Sequence, residues 1–231
     1  MRIPGPLLPA RFLSRPNRFL TIVDLDNQQV AAHLPDPGRL RELLVPGAPV
    51  WVRPASSPAR KTSFTLAMTE AASGELVSLV TTLPNQLVEE ALEGQRISEL
   101  ADWQLISREH AWKGSRFDFL LGRGADRLLL EVKSVTLVEG RRALFPDAVT
   151  RRGTRHVTEL AAAGKEGVGA AVLFVVQRRD AESVTAARAI DPAFADALAA
   201  ANLAGVRLLA YRCRVTLEEA HLAEAIPVSV A

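Results

Sequence analysis

The segment SRFDFLLGRGADRLLLEVKS, residues 115–134, places charged side chains within two apolar runs. Turn-prone Gly-Arg-Gly-Ala-Asp separates the runs, so the segment predicts a β-hairpin. Side chains alternate between the faces of a strand, so Glu131 and Lys133 share a face, and Asp118 on the paired strand can approach them. Charges on strands built for burial are costly unless they are paired or bind metal. The pattern indicates a divalent-metal site, with Asp118 and Glu131 as oxygen ligands for a hard cation such as Mg²⁺ and Lys133 beside an attacking water.

A simpler interpretation of part of this segment stays open. Glu131 and Lys133 alone also fit a solvated ion pair, or a cross-strand pair at a sheet edge. Asp118, thirteen residues before Glu131 on a second apolar strand, favours the metal site because three charges then converge from two buried strands.

The spacing of these charges resembles the metal-binding core of the PD-(D/E)XK nuclease superfamily. Several longer segments closely resemble the sugar fermentation stimulation protein A family. In the second half they are GSRFDFLL (114–121), EVKSVTL (131–137) and FPDAVTRRGTRHVTEL (145–160). In the first half they are PLLPARFLSRPNRFL (6–20) and HLPDPGRL (33–40), which departs from the family's usual HCPNTGRL at Leu34, Asp36 and Pro37.

The resemblance implies a fold class of α/β with an all-β N-terminal domain. Residues 1–83 would form an OB-like DNA-binding barrel, and residues 84–231 a PD-(D/E)XK restriction-endonuclease-like α/β domain. The backbone carbonyl of Val132 would complete the shell of Mg²⁺, or of Mn²⁺ in its place. Non-specific DNA binding follows from the family. Two functions stay open: Mg-dependent cleavage of DNA as a deoxyribonuclease, and a non-catalytic DNA-binding regulator of sugar metabolism, particularly of maltose.

The pattern of apolar runs supports two parts. Short β-like runs at residues 19–25, 28–33, 49–52, 63–69 and 76–80, separated by turn signals, predict a small barrel or sandwich. Later segments predict helices and strands in the order helix (84–92), strands (103–111 and the hairpin), helix (154–163), strand (170–177), helix (193–204) and strand (206–215). This is the core order of the nuclease superfamily, extended at its end.

Basic residues are distributed unevenly, although the net charge is only +2. Residues 1–83 hold nine Lys and Arg, including Arg60, against six Asp and Glu, and five arginines between residues 141 and 155 face only Asp147. Arginine suits phosphate, although an ordinary solvated surface would look the same. The candidate DNA-binding residues are Arg11, Arg15, Arg18, Arg39, Arg116, Arg152 and His156.

Two helices could add residues to the site. Glu90 on the first helix resembles the family's recurrent glutamate and is a candidate catalytic carboxylate, with Glu89 as the neighbour that could take its place. On the helix at 154–163, His156 and Glu159 share a face and could orient a phosphate or a water, or could belong to an ordinary polar helix face.

Composition excludes several classes of protein. The chain has 231 residues, of which 48% are hydrophobic, and one cysteine, Cys213, which cannot form an intramolecular disulfide. There is no eighteen-residue apolar run, no signal-peptide pattern, no Walker loop, no zinc spacing and no Gly-x-Ser-x-Gly elbow. We expect a cytoplasmic protein that binds DNA and no membrane, with a homodimer left open.

Overall fold

An all-β barrel forms the first part of the protein in the computed structural model, which describes residues 1–55 and 61–230. Arg60 therefore lies outside the described residues. The strands are β1 (Leu8–Asn17), β2 (Leu20–Leu25), β3 (Gln28–His33), β4 (Pro49–Pro54), β5 (Phe64–Glu70) and β6 (Leu76–Ser78). They are joined in the order β3-β2-β1-β4-β5-β6, and a parallel pairing of β3 with β5 closes the first five into a barrel. The predicted OB-like barrel is thus confirmed.

Strand β1 was absent from the sequence-based prediction, although it lies between β2 and β4. Prolines at positions 9 and 16 and arginines at 11 and 15 interrupt its apolar alternation, and Phe12 is its only fully buried side chain. Its pairing with β2 contains two irregularities in register, so it is held by its neighbours more than by its own pattern.

A mixed α/β domain follows the barrel. Its elements are α1 (Leu83–Glu93), a 3₁₀ turn (Ser98–Leu100), β7 (Gln104–Trp112), β8 (Ser115–Arg123), β9 (Asp126–Val135), β10 (Val138–Glu139), β11 (Arg142–Phe145), α2 (Arg151–Gly164), β12 (Gly169–Val176), β13 (Ser183–Ala186), α3 (Pro192–Leu203), β14 (Arg207–Val215), β15 (Ala220–Ala225) and β16 (Val228–Ser229). The predicted helices and longer strands are present in the predicted order. No helix within residues 1–55 and 61–230 is long and apolar enough to cross a membrane.

The main sheet has the strand order β15-β14-β12-β9-β8-β7. Strand β12 runs parallel to both β9 and β14, and its residues from 170 to 176 are buried, as expected for a strand covered on both faces. Helix α1 packs on one face of this sheet together with barrel residue Met68, and α2 and α3 pack on the other. A smaller sheet, β10-β11-β13-β16, borders it. The hairpin predicted at β8 and β9 is confirmed, with antiparallel pairing from Arg123 and Asp126 to Phe119 and Leu130.

The starts of α2 and α3 are fixed by one buried carboxylate. The side chain of Asp191, 2% exposed, accepts a hydrogen bond from Phe194 N (3.0 Å) and caps α3. Its other oxygen accepts from Thr150 N (2.8 Å), and the Thr150 hydroxyl accepts from Gly153 N (3.1 Å) to cap α2. The first turn of α2 is therefore anchored to α3.

A clasp joins the barrel to the α/β domain. Asp147, between β11 and α2, accepts hydrogen bonds from Arg39 N (2.7 Å) and Leu40 N (3.4 Å) of the loop after β3. A Cβ at Gly38 would lie 2.4 Å from an oxygen of Asp147, so only glycine permits this approach. Arg15 holds the same loop by donating to the carbonyls of Gly38 (2.7 Å) and Arg39 (2.9 Å).

The clasp should contribute measurably to stability. Asp147→Ala leaves two backbone N–H groups without their acceptor, whereas Asp147→Asn removes the same charge and keeps one oxygen. In urea titrations we expect the free energy of unfolding of Asp147→Ala to be about 1 kcal/mol lower than that of Asp147→Asn. Asp126→Ala, at an exposed hairpin turn, is the control and should change stability by less than about 0.5 kcal/mol. Equal stability of the two Asp147 variants would contradict a role for these hydrogen bonds.

Candidate metal and phosphate site

The β8–β9 hairpin brings Asp118 to the backbone of β9. Counted away from the turn, the pairing of the two strands ends at Phe119 and Leu130, and Asp118 is the next residue of β8. Beyond that point the carboxylate of Asp118 takes the place of a strand partner, since its Oδ2 accepts a hydrogen bond from Val132 N (2.7 Å). The side chain is thus fixed between β8 and β9, while the flanking Phe117 and Phe119 are buried.

Glu131 is a buried carboxylate with one oxygen occupied and one free. It is 5% exposed, and its Oε1 accepts hydrogen bonds from Lys133 Nζ (2.6 Å) and His156 Nδ1 (2.7 Å). The ring of His156 donates through Nδ1 because its Nε2 accepts from Arg152 Nε (3.3 Å). Glu131 Oε2 is buried without a hydrogen-bond partner among the residues that the structure describes.

The two carboxylates have opposite pKa shifts. Burial, followed by the negative charge of Glu131, raises the pKa of Asp118 above its usual range, against the opposing hydrogen bonds from Val132 and Asn85. Burial also acts to raise the pKa of Glu131, but the hydrogen bond from His156 and the charge of Lys133 outweigh it, so that pKa is lowered. Folding therefore favours the anionic form of Glu131, whereas burial and the charge of Glu131 make Asp118 easier to protonate.

Helix α1 contributes an amide that the sequence analysis missed. Asn85 Nδ2 donates to Asp118 Oδ1 (2.7 Å). The predicted Glu90 lies elsewhere: its carboxylate binds the N-terminal amino group (2.8 Å) and Arg96 (2.7 Å). Its neighbour Glu89 forms an ion pair with Arg108 (2.7 Å). The structure therefore does not bring Glu89 or Glu90 to the carboxylate pair.

The pair opens into a cleft of about 250 Å³. Its lining residues are Thr81, Pro84, Asn85, Asp118, Glu131, Val132, Lys133, Ser134, Thr150, Arg152 and Gly153. A second cleft of about 270 Å³ lies between the barrel and the α/β domain. The residues that it shares with the first are Thr81, Val132, Lys133, Ser134 and Thr150. The carboxylates thus lie at the wall of an open cleft large enough for a phosphate group.

The candidate DNA-binding residues are dispersed. Arg152 lines the carboxylate cleft, and Arg18 lines the second cleft, although its Nε also donates to Pro37 O (3.1 Å). Arg39 is exposed beside the clasp. The other four predicted residues do not line either cleft. Arg15 donates to the clasp loop, and His156, 1% exposed, lies beneath Glu131. Arg11 donates to Gly47 O, and Arg116 lies near Glu109.

The donor set fits a hard divalent cation with few protein ligands. Within residues 1–55 and 61–230 no group of three or more His, Cys, Asp or Glu is arranged to hold a metal. Glu131 Oε2, which has no hydrogen-bond partner among the described residues, is an oxygen donor that such a cation could use beside Asp118. Mg²⁺ is commonly bound by one or two carboxylates, with water and substrate phosphate completing its shell.

The architecture defines a class, an OB-like barrel joined to a mixed α/β domain whose hairpin carries the buried Glu131 and the partly buried Asp118. Family models match almost the whole chain: the SfsA N-terminal OB domain over residues 13–79 and the sugar fermentation stimulation protein RE domain over residues 82–219. The protein belongs to the sugar fermentation stimulation protein family, SfsA.

Individual relatives span the full length of the chain. A sugar fermentation stimulation protein homolog of Shouchella clausii is 48% identical and covers 100% of both chains. One of Geobacter metallireducens is 43% identical over 99% of each. Among solved structures, SfsA of Pyrococcus furiosus in complex with Ca²⁺ superposes with a TM-score of 0.89 at 29% identity, covering 99% of this chain and 98% of that one.

The His156–Glu131 hydrogen bond should stabilise the fold in a pH-dependent way. Because the pKa of Glu131 is lowered by folding, its contribution is present above the unfolded-state pKa and is lost as pH falls through the folded-state pKa. We expect His156→Ala to unfold more easily than the wild type at pH 7, by about 1–3 kcal/mol, with the difference shrinking in acid.

His156→Asn is the matched variant, since an asparagine amide can replace the Nδ1 donor. Urea titrations of both variants at pH 7 and at pH 4 check the prediction. A His156→Ala deficit that is unchanged at pH 4, or that His156→Asn shares in full, would indicate lost packing against Phe117 instead.

Proposed function

We propose that the protein is a metal-dependent phosphodiester hydrolase that acts on DNA. The observation that carries the proposal is Glu131 Oε2, a buried carboxylate oxygen without a partner beside Asp118, whose pKa is raised. Mg²⁺, or Mn²⁺, would be held by Asp118 and Glu131, with the carbonyl of Val132 in the same cleft as a further ligand. Support comes from the P. furiosus relative, whose structure was solved with Ca²⁺, a cation that also prefers oxygen ligands.

The chemistry divides between the ion and the side chains. When bound, the cation would neutralise charge on the scissile phosphate and lower the pKa of water. Lys133 uses one of its three N–H donors on Glu131, so the others are free to hold the attacking water or a phosphate oxygen.

The remaining polar side chains orient these groups. His156 fixes the rotamer of Glu131, and Asn85 fixes that of Asp118, so the two carboxylates meet the cation already positioned. Arg152, exposed at the wall of the cleft, is placed to bind a neighbouring phosphate.

A second function is a DNA-binding regulator that does not cleave. It is favoured by the name that the curated relatives share, which refers to sugar fermentation and to no hydrolysis. Such a regulator of sugar or maltose metabolism would use the basic residues without needing Lys133 in a reaction, so the two functions differ in what this lysine does.

Metal binding should depend on pH through Asp118. A carboxyl group with a raised pKa binds a proton more readily, so protons compete with the cation as pH falls through that pKa. We expect calorimetric titration with Mn²⁺ to give a site that weakens by about tenfold per pH unit below this pKa. The heat should vanish in Asp118→Ala and persist in the control Asp126→Ala. Equal heats in the two variants would place the metal elsewhere.

Cleavage tests the reaction itself. Supercoiled, single-stranded and branched DNA incubated with Mg²⁺ or Mn²⁺ should be cut, and EDTA should prevent cutting. Lys133→Met, which keeps the length of the side chain, should lower the rate by about 100-fold or more while DNA affinity changes little. Lys165→Met, at the exposed end of α2, is the matched control and should leave the rate unchanged. If the DNA stays intact under every condition, the hydrolase proposal is wrong and the non-cleaving regulator is favoured.

A further inference from the structure

The barrel carries a basic groove that the sequence analysis did not identify. It has a volume of about 590 Å³ and is lined by His33, Pro35, Arg53, Lys61, Thr62, Thr65, Val80, Thr81 and Thr82. Thr65 on β5 is paired with His33 on β3 and with Arg53 on β4, so these side chains lie side by side on one face of the barrel wall. Lys61 stands just before β5. The groove is therefore built on the strands that close the barrel.

The charge of this groove is of one sign. Its described lining contains no carboxylate, and neither Arg53 nor Lys61 forms an ion pair within residues 1–55 and 61–230. Another groove on the barrel differs, because it places Arg11 with Asp24 and Asp26. Of these two grooves, the first therefore offers a polyanion positive charge that no described carboxylate neutralises.

An exposed aromatic ring stands next to the basic groove. Phe19, at the turn between β1 and β2, is 49% exposed. Its ring stacks on His33, with the ring centroids 6.4 Å apart and the planes 25° from parallel. The guanidinium of Arg18 lies 5.6 Å from the same ring centroid. An aromatic ring beside a cation can stack on a nucleobase, provided that the base is not already stacked within a duplex.

The groove is continuous with the candidate metal site. Thr81 lines the basic groove, the carboxylate cleft and the cleft between the domains. A strand that left the carboxylate pair past Thr81 would therefore reach the groove that holds Arg53 and Lys61. Aromatic stacking and a narrow basic track are the two features by which proteins hold single strands without reading their sequence.

We infer that the protein binds a single-stranded segment of DNA in this groove, with its phosphates on Arg53 and Lys61 and a base on Phe19, and delivers that strand to the carboxylate pair. The delivery step rests on the proposed function, whereas binding in the groove does not. A duplex, whose bases are already stacked on each other, cannot use the Phe19 platform.

Fluorescence anisotropy in EDTA tests the binding without cleavage. The probes are a labelled oligo-dT of about 15 nucleotides, matched to the upper site size of one OB fold, and a duplex of the same length. We expect Phe19→Ala to weaken single-strand binding by about tenfold, and Phe19→Tyr, which keeps the ring, to bind as the wild type does. The affinity for the duplex should not change.

The charge of the groove is tested by a double variant. Arg53→Ala with Lys61→Ala should weaken single-strand binding and reduce the slope of log affinity against log salt by about 1.4, as expected for the loss of two phosphate contacts. Arg179→Ala with Arg214→Ala removes the same charge from exposed positions of the α/β domain and is the matched control. Thermal unfolding of all variants shows whether each is folded.

The possible results separate this inference from the proposed function. If the groove variants bind single strands as the wild type does, or lose duplex affinity equally, the inference is wrong, whatever the nuclease assays give. If the variants lose single-strand binding selectively while the wild type never cleaves DNA, the groove stands and only the hydrolysis fails.

Discussion

The burial of Glu131 as an anion is the constraint on which the arrangement of the α/β domain depends. A carboxylate taken out of water costs several kcal/mol unless donors replace the solvent, and here they come from two directions. Lys133 reaches it from the same strand, and His156 reaches it from α2. The position of His156 depends in turn on where α2 begins, which Thr150 and the buried Asp191 determine. The capping of two helices and the charge of one strand residue thus belong to a single network.

The network neutralises only part of the charge that it encloses. The buried Glu131 and the partly buried Asp118 lie close together with one lysine. Burial and the charge of Glu131 raise the pKa of Asp118, and Glu131 Oε2 has no hydrogen-bond partner among the described residues. A site selected for stability alone would replace one acid by an amide or an apolar residue, since removing an uncompensated buried charge is stabilising. The presence of both acids is therefore understandable if an external cation completes the site, and the fold then contributes rigid positioning while the cation contributes charge.

Local patterns explain what the sequence could predict. The hairpin, and the convergence of Asp118, Glu131 and Lys133, follow from strand alternation and a turn signal, which act over about ten residues. Contacts between distant elements could not be predicted in the same way. Asn85 and Glu90 are five residues apart on α1 and so point about 140° apart, and only the docking of α1 decides which of them meets Asp118. The contact of His156 with Glu131 likewise depends on the anchoring of α2.

Basic residues show the same division between composition and arrangement. The excess of Lys and Arg in the barrel was visible in the sequence. In the structure, however, the guanidinium of Arg15 donates to the carbonyls of the clasp loop, and Arg11 lies beside Asp24 and Asp26. Arg53 and Lys61 form no ion pair with a described residue, and closure of the barrel between β3 and β5 sets Arg53 and His33 on either side of Thr65 in the same groove as Lys61. Counting Lys and Arg along the sequence measures how much positive charge is present. Where the field acts depends on which charges the fold has already neutralised. Two that no described carboxylate neutralises, Arg53 and Lys61, lie in the groove that shares Thr81 with the carboxylate cleft.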